Sequence, residues 1–133
     1  ANLIDLACKT QYNGKAAVQD PLLRDRIMQQ LIRETALAQN QRRTRVPALL
    51  EHPARLQLQN KLLRSEIAQE IAALAMEVAG ASASLYLGDH NAPAGGQWPL
   101  AYMSTYGSTI AAGTSEVQRN ILGERVLSLA KSK

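Results

Sequence analysis

The sequence has 133 residues, of which 46% are hydrophobic and 4% aromatic, and its formal net charge is +4. This length allows one domain with a core, and the hydrophobic content excludes an intrinsically disordered chain. The single cysteine, Cys8, excludes an internal disulfide and a cysteine-based zinc site, and favours a cytoplasmic location. We expect no membrane span, and the start at Ala1, without an initiator Met, predicts a piece of a longer chain.

The first third of the chain predicts two helices. Residues 3–9 have the four-residue apolar spacing of the end of an amphipathic helix, in which Cys8 is expected to be a small core residue. Asn13-Gly14 breaks this helix. Asp20 is a good N-cap and is followed by proline at the first helical position, so a second helix is predicted over Pro21–Arg43.

Three further helices are predicted in the remainder. One runs from about Pro53 to Ala79, the next from Pro99 to about Ala111, and the last follows Thr114-Ser115. No segment alternates as a strand, so the pattern predicts an all-α bundle of four or five helices in a single domain, 1–133. The faces expected to be buried are Leu63, Ile67, Ile71, Leu74, Ala75 and Val78 in the third helix and Val117, Ile121, Leu122, Val126 and Leu129 in the last.

The junction before the last helix has the features of a ligand-binding edge. Gly113 allows a left-handed turn, and the backbone N–H groups of Thr114, Ser115 and Glu116 lack partners inside the helix. Such a helix start attracts anions or polar ligand atoms, and the Glu116 carboxylate suits ribose hydroxyls. A plain helix cap, with Ser115 and Gln118 as a reciprocal capping box, explains the same residues.

Residues 106–129, YGSTIAAGTSEVQRNILGERVLSL, closely resemble the C-terminal signature of the acyl-CoA dehydrogenase family. Upstream, the segments DPLLR (20–24), KLLRSEIAQEIAAL (61–74) and EVAGA (77–81) are similar to successive parts of the same domain. The resemblance implies an up-down four-helix bundle with an extra short helix, as the C-terminal domain of a flavoprotein with two further domains. It also implies FAD as cofactor, an acyl-CoA substrate, a role in lipid metabolism such as fatty acid β-oxidation, and a homo- or hetero-oligomer, dimer or tetramer, without nucleic acid.

By position in the motif, the resemblance places Thr114 and Glu116 near the adenosine half of FAD. Glu77, Gly80 and Ala81 would contact the FAD of a neighbouring subunit. Two of these residues depart from the family pattern, because Glu77 stands where a Gln is usual and Ala81 where a second Gly is usual.

The largest departure is Ala112, which occupies the position of the family's usual catalytic Glu. Alanine accepts no proton, and neither Glu116 nor Glu124 is a good substitute. In some branches the base lies on an earlier helix, and other branches form mixed tetramers in which one subunit lacks both the base and FAD. Both explanations fit, and we therefore assign no catalytic residue.

Several other side chains have a structural and a functional interpretation. Trp98, Tyr102 and Tyr106 either fill the core or line an acyl pocket, and the first is favoured. His52 and His90 lie in predicted loops without neighbouring Cys or carboxylate clusters, so no metal site is expected.

Two rival functions remain open. One is a non-catalytic subunit or helical interaction module without bound flavin. The other is a nucleic-acid-binding domain suggested by Arg42, Arg43 and Arg45, which equally complement the negative end of a helix. No helix-turn-helix pair accompanies these arginines, which argues against the second.

Overall fold

Five α-helices form most of the part of the chain that the computed structural model describes, residues 2–53 and 56–131. They are α1 (Leu3–Lys9), α2 (Pro21–Arg43), α3 (Leu56–Ala79), α4 (Gln97–Ile110) and α5 (Ser115–Arg125). The predicted all-α class is confirmed, as are the bounds of α2. The third helix, predicted from about Pro53, is described over Leu56–Ala79, and residues 54 and 55 lie outside the described part.

Local chemistry explains where α2 begins. The Asp20 carboxylate accepts hydrogen bonds from the backbone N–H groups of Leu22 and Leu23, at 3.0 and 2.9 Å, with Pro21 at the first position. This is the predicted N-cap, and it satisfies two of the donors that a helix start leaves without partners.

A small hairpin, absent from the sequence prediction, joins α1 to α2. Strands β1 (Gln11–Tyr12) and β2 (Lys15–Ala16) pair antiparallel around Asn13 and Gly14, which have φ values of 50° and 77°. Two successive positive φ values are typical of a type I′ turn, for which Asn-Gly is the preferred sequence. Asn13-Gly14 therefore does more than end α1, because it folds the chain back.

The core lies around α3, which contacts α1, α2, α4 and α5. Of the predicted inner face, Ile67, Leu74, Ala75 and Val78 are buried, whereas Leu63 and Ile71 are only partly buried and the neighbouring Leu62 is buried instead. The main cluster of buried residues comprises Leu3, Leu6, Ala7, Ala17, Leu23, Ile27, Leu74, Ala75, Val78 and Trp98. No helix in the described part of the chain is long and apolar enough to cross a membrane.

Cys8, Val117 and Leu129 were expected in the core but are exposed. Leu3 and Ala7 are buried on α1, so Cys8 lies on the outer side. On α5, Val117 is 46% exposed and Leu129, beyond the end of the helix, is 60% exposed. The buried position of α5 is polar, Gln118, because this helix lies at the edge of the bundle.

Polar pairs join α2 to α3 along their exposed rim. Arg26 donates to both carboxylate oxygens of Glu77, at 2.5 and 2.8 Å, and Arg33 and Gln30 donate to Glu70. As the residue number on α2 rises, that of its partner on α3 falls, so the two helices run antiparallel. The Arg26 hydrogen bonds hold the pKa of Glu77 below its ordinary value. Burial alone would raise the pKa of Glu70, but its two hydrogen-bond donors bring it below the ordinary value.

Gly96→Ala is expected to destabilise the fold severely. Gly96 has a φ of 73°, and an added Cβ would lie under 3.0 Å from backbone atoms of Tyr86 and Leu87. Backbone strain and overpacking together predict a loss of about 3 kcal/mol in the free energy of unfolding, measured by urea denaturation. Gly95→Ala is the control, because its φ of 65° carries the same strain with no atom within 4 Å. Equal losses of stability in the two variants would contradict a clash between the added Cβ and the backbone of Tyr86 and Leu87.

Glu77→Gln is expected to reduce stability at neutral pH only. Because the folded-state pKa of Glu77 is depressed, its contribution is present above the unfolded-state pKa of about 4.3 and is lost as pH falls through the folded-state pKa. Both partners are nearly half exposed, so the loss at pH 7 should be less than about 1 kcal/mol. Thermal unfolding at several pH values measures it, with Glu34→Gln on the exposed face of α2 as control. A loss that persists in strong acid would exclude the ion pair as its cause.

Candidate functional site

The junction between α4 and α5 has the geometry predicted for it. After α4 ends, Ala112 and Gly113 have φ values of 57° and 98°, and Thr114 is the N-cap of α5. The Thr114 hydroxyl accepts from the N–H of Val117 at 3.4 Å. The predicted left-handed Gly113 and the threonine cap are thus confirmed.

The reciprocal Ser115–Gln118 capping box is wrong. Ser115 is already the first helical residue, one position after the cap. The Gln118 amide instead donates to the carbonyl oxygen of Ala112, at 2.8 Å. Gln118 is buried, so its amide requires a partner inside the fold, and the strained junction supplies one.

Glu116 lies on the surface at the first turn of α5. Its own backbone N–H, then the Thr114 hydroxyl, and more weakly the positive charge of Arg119 lower the pKa of its carboxyl group. The ionised form of this carboxylate is therefore favoured at the positive end of α5. Part of its capacity to accept hydrogen bonds from a ligand is already used.

The junction opens onto a cleft of about 330 Å³, so it is not sealed inside the bundle. An ion pair between Arg119 of α5 and Glu66 of α3, 2.6 Å long, lies at this cleft. The residues that line it are Glu66, Gln69, Thr109, Ile110, Thr114, Ser115, Glu116 and Arg119. Thr114 and Glu116, predicted to act together, are therefore brought to one surface.

The other predicted site residues lie at the opposite end of α3. Gly80, with a φ of 56°, and Ala81 are exposed and line a groove of about 650 Å³. Glu77 precedes them by one turn and is held by Arg26 rather than free. At a rise of about 1.5 Å per residue, the interval from Glu66 to Ala79 separates the two surfaces by about 20 Å along α3. The structure does not bring the two predicted sets together within one chain.

Lys9 and Tyr12 line the same groove as Gly80 and Ala81. No role was predicted for these two residues from the sequence. Lys9 is the last residue of α1, and Tyr12 lies in β1, the first strand of the hairpin. The signal in the sequence was Asn13-Gly14, whose turn chemistry predicts a hairpin when the residues on either side are extended.

The aromatic residues divide between core and surface. Trp98 is buried in the main cluster, as expected for a core residue. Tyr102 and Tyr106 lie outside it, with hydroxyl oxygens 2.7 Å apart and ring centroids 5.3 Å apart in an edge-to-face arrangement. The hydrogen bond between the two hydroxyl groups raises the pKa of Tyr102. Among residues 2–53 and 56–131, no three His, Cys, Asp or Glu side chains form a group that could hold a metal ion.

Comparison with known proteins gives a consistent result. Residues 1–127 match the family described as acyl-CoA dehydrogenase, C-terminal domain. The chain is 33% identical over 137 aligned residues to acyl-CoA dehydrogenase IpdE1 of Mycolicibacterium smegmatis, and 32% identical over 131 to the protein of that name from Mycobacterium tuberculosis. Each alignment covers 98% of this chain, which spans about 30% of the length of these curated relatives.

Two solved structures share the fold. One is the ChsE4–ChsE5 complex from Mycobacterium tuberculosis, with a TM-score of 0.82 and 22% identity. The other is described as the Tcur3481–Tcur3483 steroid ACAD, with a TM-score of 0.80 and 16% identity. Each match covers 98% of this chain and 34% of the solved chain. On the family match and the two IpdE1 relatives, the chain belongs to the acyl-CoA dehydrogenase family, as its C-terminal helical domain.

Proposed function

We propose that this chain is the FAD-contacting and oligomerisation domain of an enzyme that introduces an α,β double bond into an acyl-CoA thioester. The observation that carries the proposal is the open junction at Gly113–Glu116. The residues that carry the family resemblance lie there at the start of a helix, on a cleft rather than in the core. A helix start with a threonine hydroxyl beside it suits the polar nucleotide end of a flavin.

The polar and charged groups at the two surfaces fit a dinucleotide. At the first, Thr114 offers a hydroxyl and Glu116 a carboxylate for sugar hydroxyls. At the second, Lys9 supplies a positive charge for phosphate beside the exposed backbone of Gly80 and Ala81. FAD, when bound, supplies the acceptor for the hydride of the dehydrogenation. The residues of this chain would hold and orient it.

The separation of the two surfaces supports an oligomer in which each flavin contacts two subunits. One chain presents them about 20 Å apart along α3, so a second subunit can complete each site. Exposed apolar side chains on α2 are consistent with burial in such an assembly; they include Leu22, Met28 and Ile32. The partner is a second copy or a related subunit, since one neighbour of this fold was solved as a complex of two proteins.

Proton abstraction is not assigned to this chain. Ala112 has no proton acceptor, the lowered pKa of Glu116 makes it a weaker base, and Glu66 is paired with Arg119. The base would then come from another part of the polypeptide or from a partner subunit. This arrangement also keeps the second candidate open, a non-catalytic subunit without flavin, because Glu77 is held by Arg26 where the family's usual residue is an amide.

The polypeptide that contains residues 1–133 together with the other two domains is expected to bind FAD, with flavin absorption that bleaches when the correct acyl-CoA is added. Straight-chain, branched and steroid-derived thioesters form the test panel, because one structure of this fold is described as a steroid enzyme. Residues 1–133 alone are expected to show no turnover. A protein that stays colourless after incubation with FAD would favour the non-catalytic subunit.

Gly113→Ala is expected to weaken FAD binding about tenfold in that polypeptide, as judged by flavin fluorescence titration. A Cβ on Gly113, where φ is 98°, is strained and would lie 3.1 Å from the Gln118 amide nitrogen. Gly107→Ala is the matched control, since it lies within α4 with no atom within 4 Å. The control should retain FAD affinity and gain about 0.5–1 kcal/mol of stability from helix propensity. Unchanged FAD affinity in Gly113→Ala would argue against FAD binding at the junction between α4 and α5.

A further inference from the structure

Lys61, in the second turn of α3, contacts the backbone of the junction that follows α4. Its ammonium group donates to the carbonyl oxygen of Gly113 at 2.5 Å and to that of Thr109 at 3.3 Å. Thr109 is among the last four residues of α4, whose carbonyls lack partners within the helix and carry its negative end. A half-buried positive charge therefore lies between the end of α4 and the start of α5.

Gln118 holds the neighbouring peptide group. Its buried amide donates to the carbonyl oxygen of Ala112 at 2.8 Å. Two consecutive carbonyls, those of Ala112 and Gly113, thus each have a side-chain donor, one from α5 and one from α3. Both residues have positive φ, which costs a non-glycine residue such as Ala112 about 1–2 kcal/mol. The donors offset this strain.

Peptide geometry determines what these two contacts do. Peptide bonds in the described residues are trans, so each N–H points opposite to the C=O of the same peptide group. With the Ala112 and Gly113 carbonyls directed at Gln118 and Lys61, the N–H groups of Gly113 and Thr114 are directed away from those donors. The two peptide groups are thereby fixed in orientation just before α5, at a helix start that attracts anionic or polar ligand atoms.

We propose that Lys61 and Gln118 are positioning residues that fix the two peptide groups of the Ala112–Thr114 junction for binding of the flavin's nucleotide end. This inference rests on the proposed function and adds to it the residues that hold the binding edge in place. Neither residue needs to touch the ligand. Lys61 neutralises the end of α4, and Gln118 fixes the left-handed residue before Gly113.

The test compares Lys61→Met, which keeps the aliphatic stem and removes the donor, with Arg64→Met, which removes an exposed charge from the same helix. Gln118→Met is the second variant, and Lys61→Arg tests restoration by another cationic donor. The protein is the polypeptide containing residues 1–133 with its other domains. Amide hydrogen exchange over residues 112–116 is measured without FAD, and FAD affinity by fluorescence titration.

Lys61→Met and Gln118→Met should each raise amide exchange over residues 112–116 and weaken FAD binding about tenfold. Exchange in α2 should be unchanged, Lys61→Arg should recover much of the affinity, and Arg64→Met should resemble the unsubstituted protein. If one Met variant does not fold, the other and Lys61→Gln carry the same comparison.

Three results would overturn the inference: unchanged exchange at the junction, unchanged FAD affinity despite faster exchange, or an equal loss of affinity in Arg64→Met, which would indicate bulk charge instead. Failure of the unsubstituted protein to bind FAD would reject the proposed function itself. The exchange data would still show whether Lys61 and Gln118 hold the junction.

Discussion

Burial of α3 is the constraint on which the rest of the structure depends. This helix contacts the four others, and its inner face alternates Leu74 and Val78 with the small residues Ala72, Ala75 and Ala79. Small side chains let neighbouring helices approach closely, while the larger ones fill the space between them. A larger residue at Ala75, which is fully buried, would push several helices apart at once.

The positions of both candidate binding surfaces are set by α3. The Gly80 groove follows its last turn, and the cleft at the α4–α5 junction lies beside its first half, where Lys61 and Glu66 contact the junction and α5. Because a packed helix does not stretch, the distance between the two surfaces is fixed by its length. The chain thus presents two edges at a set spacing, which the proposed sharing of flavin sites between subunits would require.

The ion pairs between α2 and α3 have a different role from the core. Arg26 and Glu77 are each nearly half exposed, and such pairs contribute little to stability. Their pairing agrees with the antiparallel register that burial of Leu23 and Ile27 against α3 already sets. For the candidate site, the pair matters more, because it holds the Glu77 carboxylate against α2 beside the Gly80 groove.

How far the sequence predicted this arrangement depended on the range of each interaction. Local signals worked: Asp20-Pro21 predicted the start of α2, and Gly113 the left-handed turn. Periodicity and spacing do not predict pairs whose partners lie about fifty residues apart, such as Lys61 with Gly113 or Arg26 with Glu77. The exposure of Val117 was missed for a related reason, since an apolar stripe does not show whether a neighbouring helix covers it.

Ala112 shows how binding and proton transfer separate in this domain. Its φ of 57° is unfavourable for alanine, yet the junction keeps this conformation because Gln118 and Lys61 hold the carbonyls of Ala112 and Gly113. A methyl group in place of a carboxylate leaves those contacts intact, since they involve only backbone atoms of the junction. Loss of the proton acceptor therefore does not require loss of the binding edge. Under the proposed function, a subunit with Ala112 would keep the binding edge while the base is supplied from elsewhere.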